Sequence, residues 1–133
     1  MKVFLDTSFI VAYTVSSDYH YESACKLENE GIFNNECFIS NLVVNEIVTV
    51  IGNKSNLELA INTYHAVKDN CVIVNEFDIL NFNDKVLDIY KKYNTALSFT
   101  DSSIIEVMKN QKISNLVSFD TFFDNVEDIE RIF

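Results

Sequence analysis

The chain has 133 residues, of which 48% are hydrophobic, 20 are acidic and 10 are basic, so its formal net charge is −10. This length is typical of one domain, and the hydrophobic content is enough for a core, which excludes a disordered chain. The acidic excess argues against loose nucleic-acid binding through a basic surface, and no apolar run approaches the roughly 20 residues of a membrane-spanning helix. We therefore predict a single domain over residues 1–133 with no membrane association.

The N-terminal segment and the cysteines indicate a cytoplasmic protein. Asp6 interrupts the first apolar stretch too early for a signal peptide. Cys25, Cys37 and Cys71 are odd in number and isolated from one another. This usage is typical of reduced thiols in a reducing compartment.

In the first half of the chain, short β-rich runs alternate with helical patterns and their capping residues. Gly31 has the place of the C′ residue after one of these helices. Ser55 and Glu58 have the spacing of a capping box, which predicts another helix start. The predicted elements are a strand over 2–5, a helix capped by Thr7 or Ser8, a helix over 20–30, a strand over 37–39, a helix from Ser40 or Asn41 to Gly52, and a helix from 55 to about 69.

The second half continues the alternation. Ser98 and Asp101 have the spacing of a second capping box. Because the predicted strands are short and apolar throughout, they indicate a mainly parallel sheet that is covered on both faces, in a three-layer α/β/α sandwich. The predicted elements are a strand over 71–74, a helix over 77–93, a helix from 98 to about 110, a strand over 115–119, and a solvated acidic segment with Asp124, Glu127, Asp128 and Glu130.

Four acidic residues lie within apolar runs or at their ends: Asp6, Glu46, Asp101 and Asp120. No Lys or Arg accompanies any of them within its run, and an ionised carboxylate near a core is costly without a cation. Because Asp6 and Asp120 end strands, all four can face the carboxyl edge of a parallel sheet, where ligands gather. Divalent cations take several oxygen ligands. The pattern therefore predicts one shared metal site.

Most of these acids also have a structural explanation. Asp6 and Asp120 suit the turn that follows a strand, and Asp101 suits the first turn of a helix, where the helix dipole favours negative charge. Glu46 is the hardest to explain in this way, because both of its flanks are apolar.

Hydroxyl side chains flank the first and third of these acids, namely Thr7, Ser8, Ser98 and Thr100. Such groups can orient a carboxylate or a metal-bound water. They can equally cap the helices that follow. Both interpretations stay open at the level of the sequence.

Four segments occur in a recognisable order: VFLDTSFI at 3–10, SNLVVNE at 40–46, LSFTDSSII at 97–105 and LVSFDTFF at 116–123. Together they resemble the motifs of PIN-domain ribonucleases, the family that includes the VapC-type toxins of toxin–antitoxin pairs. The resemblance spans nearly the whole chain and implies a PIN-like sandwich with Mg²⁺- or Mn²⁺-dependent endoribonuclease activity. It assigns Asp6, Glu46, Asp101 and Asp120 to the acidic active site. Asp124 is a second candidate near the last position, where the motif alignment favours Asp120.

The resemblance also implies partners: an RNA substrate, a basic antitoxin and a second copy of the chain. An acidic pocket attracts Arg or Lys side chains, so a basic segment of an antitoxin is expected to enter it. We expect the helices within 20–30 and 42–69 to form the dimer interface and the docking site of the antitoxin.

Other functions remain as alternatives to a toxin of a type II toxin–antitoxin pair. A PIN-type RNA-processing nuclease would have the same acids, and genomic context would distinguish it. A non-catalytic PIN-like module that binds RNA or protein is disfavoured because none of the four acids is lost. A haloacid-dehalogenase-like phosphatase requires a second Asp where Ser8 stands, and a receiver domain requires an acidic pair and a late Lys that the chain lacks.

Overall fold

The computed structural model describes residues 1–133 and contains five strands and six α-helices. The strands are β1 (Lys2–Leu5), β2 (Glu36–Ser40), β3 (Val72–Val74), β4 (Asn115–Val117) and β5 (Glu130–Ile132). The helices are α1 (Thr7–Thr14), α2 (Tyr21–Asn29), α3 (Asn41–Lys54), α4 (Leu57–Asn70), α5 (Phe82–Lys92) and α6 (Phe99–Gln111). Short 3₁₀ turns cover Ile32–Asn34, Glu76–Asp78 and Thr121–Asn125.

All five strands join one parallel sheet in the order β3-β2-β1-β4-β5. The central strand β1 pairs with β2 and β4, and its residue Phe4 lies opposite Phe38 and Leu116. Val3, Phe4 and Leu5 are fully buried, as expected for a strand covered on both faces. Because all strands run the same way, their carboxyl ends meet at one edge of the sheet.

The helices cover the sheet in two groups, which makes an α/β/α sandwich and confirms the predicted fold class. Helix α1 packs on α2 and α3, and α3 packs on α4, whereas α5 packs on α6. One hydrophobic core of 33 buried residues joins the sheet to these helices.

The structure corrects the predicted caps of two helices. Thr7 and Ser8 lie inside α1, whose N-cap position is Asp6, and the Asp6 side chain makes no capping hydrogen bond. The N-cap of α4 is Asn56, whose side chain accepts from the backbone N–H of Leu59, so the capping box predicted from Ser55 is wrong. Other predicted caps are confirmed: Ser40 caps α3, Ser98 and Asp101 form a full capping box, and Gly31 takes a positive φ.

The second half of the chain departs further from the predicted elements. The helix predicted over 77–93 begins only at Phe82, after a 3₁₀ turn and after Asn81 in a left-handed conformation. The strand predicted over 115–119 ends at Val117. The four acids predicted as a solvated face, Asp124, Glu127, Asp128 and Glu130, are all exposed. The sequence did not predict that this segment also pairs with β4 through the edge strand β5. Its three residues include a Glu and an Arg, so it lacks the apolar pattern of the inner strands.

None of the helices combines the length and the hydropathy that a membrane crossing requires. Cys25, Cys37 and Cys71 are all free thiols.

Candidate active site at the carboxyl edge of the sheet

Asp6 is the most buried of the predicted acids, with 5% of its surface exposed. It follows β1 directly and its backbone N–H donates to the carbonyl of Val117, which continues the pairing of β1 with β4. Two hydroxyls donate to its Oδ2: that of Ser8 at 2.9 Å and that of Ser118 at 2.6 Å. Hydroxyl donors from two separate elements therefore fix the orientation of this carboxylate.

Ser118 connects Asp6 to Asp120. Besides donating to Asp6, its oxygen accepts from the backbone N–H of Asp120 at 3.0 Å. Ser8 connects Asp6 to Phe119, the residue before Asp120, in the same way. Its hydroxyl donates to Asp6, and its oxygen accepts from the backbone N–H of Phe119 at 3.0 Å. The carboxylate of Asp120 accepts from the N–H of Phe122 and so begins the 3₁₀ turn that follows β4.

Asp101 lies in the first turn of α6. Its backbone N–H donates to the Ser98 hydroxyl at 3.0 Å, and its carboxylate accepts from the Ser98 N–H at 3.3 Å. The capping box thus explains why a helix begins here, and it also places a half-buried carboxylate at the edge of the sheet.

The four predicted acids line one open cavity of about 240 Å³. Glu46 reaches it from α3 and is exposed, although Val44 and Ile47 close to it in sequence are buried. The cost of burial that the sequence suggested therefore applies to Asp6 and not to Glu46. The residues around the cavity are Asp6, Thr7, Ser8, Val11, Glu46, Val50, Lys54, Asp101 and Asp120.

The pKa values of two acids are raised. Burial raises the pKa of Asp6 to about 6, against the lowering effect of the Ser118 and Ser8 hydrogen bonds, and the charge of Asp101 adds a smaller increase. Burial also raises the pKa of Asp101, with contributions from the charges of Asp120 and Glu46. Carboxylates that lie close together oppose the ionisation of one another, which raises their pKa values. The repulsion is present, but loss of solvent is the larger cause.

The other predicted residues differ in their relation to the cavity. Thr7 and Ser8 line it, whereas Ser98 caps α6 and Thr100 is absent from its lining. Asp124 is also outside it: its two carboxylate oxygens accept from Arg131 at 2.8 and 3.0 Å.

The sequence interpretation missed two residues of this site, Ser118 and Lys54. Ser118 had a signal, since it is a polar position in an apolar strand run two residues before Asp120. Lys54 follows Glu46 by eight residues on the same helix, a spacing that brings the two side chains to similar faces. This spacing predicts that Lys54 lies at the cavity only if Glu46 is already known to line it.

The chemistry of the cavity suits a hydrated divalent cation. Its acidic donors are hard carboxylate oxygens, which Mg²⁺ and Mn²⁺ prefer to nitrogen or sulfur. The hydroxyl oxygen of Thr7 is buried there without a hydrogen-bond partner. However, no three of the acids are arranged around a common point. Asp6, Asp101 and Asp120 instead accept hydrogen bonds from their own surroundings, so direct binding by three carboxylates requires side-chain rotation.

The fold and this cavity define an α/β protein with an acidic site at the carboxyl edge of a parallel sheet. The sequence model of the PIN-domain family matches residues 3–129 of this chain. The chain therefore belongs to the PIN-domain family, as its four motifs predicted.

Individual relatives extend this similarity over the whole chain. Ribonuclease VapC6 of Methanocaldococcus jannaschii is 30% identical over 149 aligned positions, which cover 98% of this chain and 96% of that protein. The crystal structure of Mycobacterium tuberculosis VapC20, a sarcin–ricin loop cleaving toxin, has a TM-score of 0.79 at 20% identity and covers 92% of both chains. VapBC2 from Rickettsia felis, bound to a DNA fragment from its promoter, has a TM-score of 0.71 at 14% identity and covers 99% of this chain and 98% of that chain.

Proposed function

We propose that the protein is a Mg²⁺- or Mn²⁺-dependent endoribonuclease that cleaves phosphodiester bonds of RNA. The observation that supports this most is the meeting of Asp6, Glu46, Asp101 and Asp120 at one cavity of a PIN-domain chain. The similarity to a protein named ribonuclease VapC6 supports RNA as the substrate.

After rotation of their side chains, the four carboxylates would hold the cation, since they supply the oxygen ligands that a hard divalent ion takes. When bound, such an ion neutralises phosphate charge and lowers the pKa of a coordinated water. Ser8 and Ser118 keep the Asp6 carboxylate in one orientation through their two hydrogen bonds. Because burial raises the pKa of Asp6 to about 6, protons compete with a metal ion for this carboxylate as the pH falls towards 6 and below.

Within this proposal the protein is the toxin of a type II toxin–antitoxin pair and acts in the cytoplasm. The resemblance to VapC-type toxins supports a toxin, as do the VapBC structures that share the fold. The partner would be a basic antitoxin whose Arg or Lys enters the acidic cavity, a contact favoured by the net charge of −10. The RNA-processing nuclease remains the second candidate, because it would use the same cavity.

The protein is also proposed to form a homodimer. Helix α4 supports this with an apolar stripe at helical spacing, since Leu57, Ile61 and Tyr64 are exposed. This stripe falls within the segment 42–69 that the sequence suggested as an interface. Sedimentation at micromolar concentration tests the dimer, and a monomer there would contradict it.

Cleavage of labelled RNA with Mg²⁺, with Mn²⁺ and with EDTA tests the enzymatic proposal. We expect cleavage only with a divalent ion, and at least a 100-fold loss in Asp6→Asn, because the variant lacks one of the charges that hold the cation. Cleavage that persists in EDTA, or that Asp6→Asn retains in full, would defeat the proposal. Thermal unfolding of the variant shows whether it is folded.

A further inference from the structure

Lys54 is the only basic side chain among the nine residues that line the acidic cavity. It ends α3, and Glu46, Val50 and Lys54 follow one another at intervals of four residues. Residues at this spacing lie on one side of a helix. The helix that brings Glu46 to the cavity therefore also brings a cation to it.

Lys54 is held only loosely. Its ammonium lies 3.9 Å from Oδ2 of Asp18, a residue of the loop between α1 and α2. The Lys54 side chain is 57% exposed, whereas that of Asp18 is 14% exposed and its Oδ1 accepts from the backbone N–H of His20 at 2.8 Å. Asp18 is thus fixed by its own loop, while Lys54 is too distant for a hydrogen bond to it. The ammonium can leave this weak pair for a stronger anionic partner.

The charges around the cavity indicate which anionic group Lys54 would bind. A phosphodiester strand that approaches this cavity meets four carboxylates, and a cation held by them would compensate charge only where it binds. An ammonium on the wall of the same cavity offers a phosphate a contact that does not depend on a metal ion. Arg131 cannot serve in this way, because Asp124 accepts from two of its nitrogens.

We propose that Lys54 binds a phosphate group of the RNA strand in the acidic cavity and thereby positions the strand for cleavage. This inference rests on the proposed ribonuclease function. In the absence of RNA, the ammonium lies near the Asp18 carboxylate at the side of the cavity. When RNA binds, a phosphate oxygen replaces the Asp18 carboxylate as its partner.

The test compares Lys54→Met with Lys68→Met. Lys68 is a matched control, since it is an exposed lysine in the last turn of the neighbouring helix α4 and is not part of the cavity lining. With Mg²⁺ and a labelled single-stranded RNA of random sequence, we expect Lys54→Met to raise KM about tenfold, the loss expected for one charged contact of about 1.4 kcal/mol. Its kcat should stay within twofold, Lys54→Arg should stay near wild type, and Lys68→Met should change neither constant.

A second measurement needs no cleavage. In the Asp6→Asn background, fluorescence anisotropy gives the affinity for the same RNA as salt is varied. Adding Lys54→Met should reduce the slope of log affinity against log salt by about 0.7, the value for one phosphate contact with a single strand. Lys68→Met should leave the slope unchanged.

The outcomes separate this inference from the proposed function. If wild-type protein cleaves RNA and Asp6→Asn does not, while Lys54→Met matches Lys68→Met in KM and salt slope, Lys54 is only a partner of Asp18 and the inference is wrong. A fall of kcat at unchanged KM in Lys54→Met would also overturn it, because phosphate binding would not explain that pattern. If wild-type protein fails to cleave RNA, the proposed function fails, and the anisotropy measurement still decides whether Lys54 contacts RNA.

Discussion

Two acids at the same edge of the sheet, Asp6 and Glu76, are both buried and yet have different surroundings. Asp6 follows β1 and is 5% exposed, whereas Glu76 lies two residues after β3 and is fully buried. Burial and position after a strand therefore do not distinguish them. The groups that donate hydrogen bonds to the two carboxylates do.

Glu76 binds the start of a helix. One of its oxygens accepts from the backbone N–H of Asn41 and the other from that of Leu42, both at 3.1 Å. These are the first two residues of α3, whose N–H groups have no partner within the helix. Ser40 accepts from the next N–H, that of Val43. Glu76 thus completes the helix start, where the dipole also favours its charge.

The donors to Asp6 are of another kind. Its carboxylate accepts from the Ser8 and Ser118 hydroxyls and lies at the wall of an open cavity, beside three further acids. A hydroxyl can rotate to a new acceptor, whereas a backbone N–H of a helix cannot. A buried acid that helix amides hold is part of the scaffold, and one that hydroxyls hold at a cavity is available to a ligand.

The largest expected effect that follows from this contrast concerns Glu76→Ala. It leaves two partly buried N–H groups without an acceptor and removes a fully buried side chain, which together should lower the free energy of unfolding by about 4 kcal/mol. Urea denaturation measures this loss, and Glu76→Gln, which keeps one acceptor oxygen, should lose about half as much. A loss below about 1 kcal/mol in Glu76→Ala would show that the carboxylate is not needed at the helix start.

The next prediction concerns the pH dependence of stability in the metal-free protein. The pKa of Asp6 is about 6 in the folded protein and 3.8 in the reference state, so protonated Asp6 favours the folded state. This contribution is fully present below pH 3.8 and is lost as pH rises through about 6, by on the order of 3 kcal/mol. The free energy of unfolding should therefore fall between about pH 4 and pH 7.

Asp6→Asn is the control for this pH dependence, because its side chain has a similar shape and does not titrate. Urea unfolding in EDTA at several pH values should give a flatter curve for the variant, which should be the more stable protein at pH 7. Parallel curves for variant and wild type would show that burial of Asp6 does not penalise its charge. The same comparison would then remove the reason for treating Asp6 as an acid in need of a cation.

The contrast between Glu76 and Asp6 also shows what the sequence could and could not predict. The motif acids were found because each lies beside a local signal, such as the end of an apolar run or a capping box. Glu76 had a similar position after a strand, but the amides that explain it are 35 and 34 positions away along the chain. Only the pairing of β2 with β3 brings them together.

Other misses have equally specific causes. The edge strand β5 has one covered side, so Glu130 and Arg131 break the apolar pattern by which the inner strands were predicted. The helix over 77–93 was predicted too long because its apolar spacing continues through Asn81, whose left-handed conformation begins α5. The position of Lys54 at the cavity was missed because it depends on a contact between α3 and Asp18 in the loop after α1. A local sequence pattern cannot predict a contact between two separate segments.

The smallest expected effect concerns Asp124, the second acid near the last motif. The Arg131 hydrogen bonds hold its pKa below the usual value, and the same arginine donates to the carbonyl of Ser118 at 3.1 Å. Asp124 thus contacts the residues around the acidic cavity only through Arg131, which keeps its bond to Ser118 when the carboxylate becomes an amide. Asp124→Asn should therefore change RNA cleavage less than twofold, whereas Asp120→Asn should lower it at least 100-fold because a carboxylate of the cavity is lost. Equal losses in the two variants would place Asp124 among the functional acids and would show that lining the cavity is not what distinguishes them.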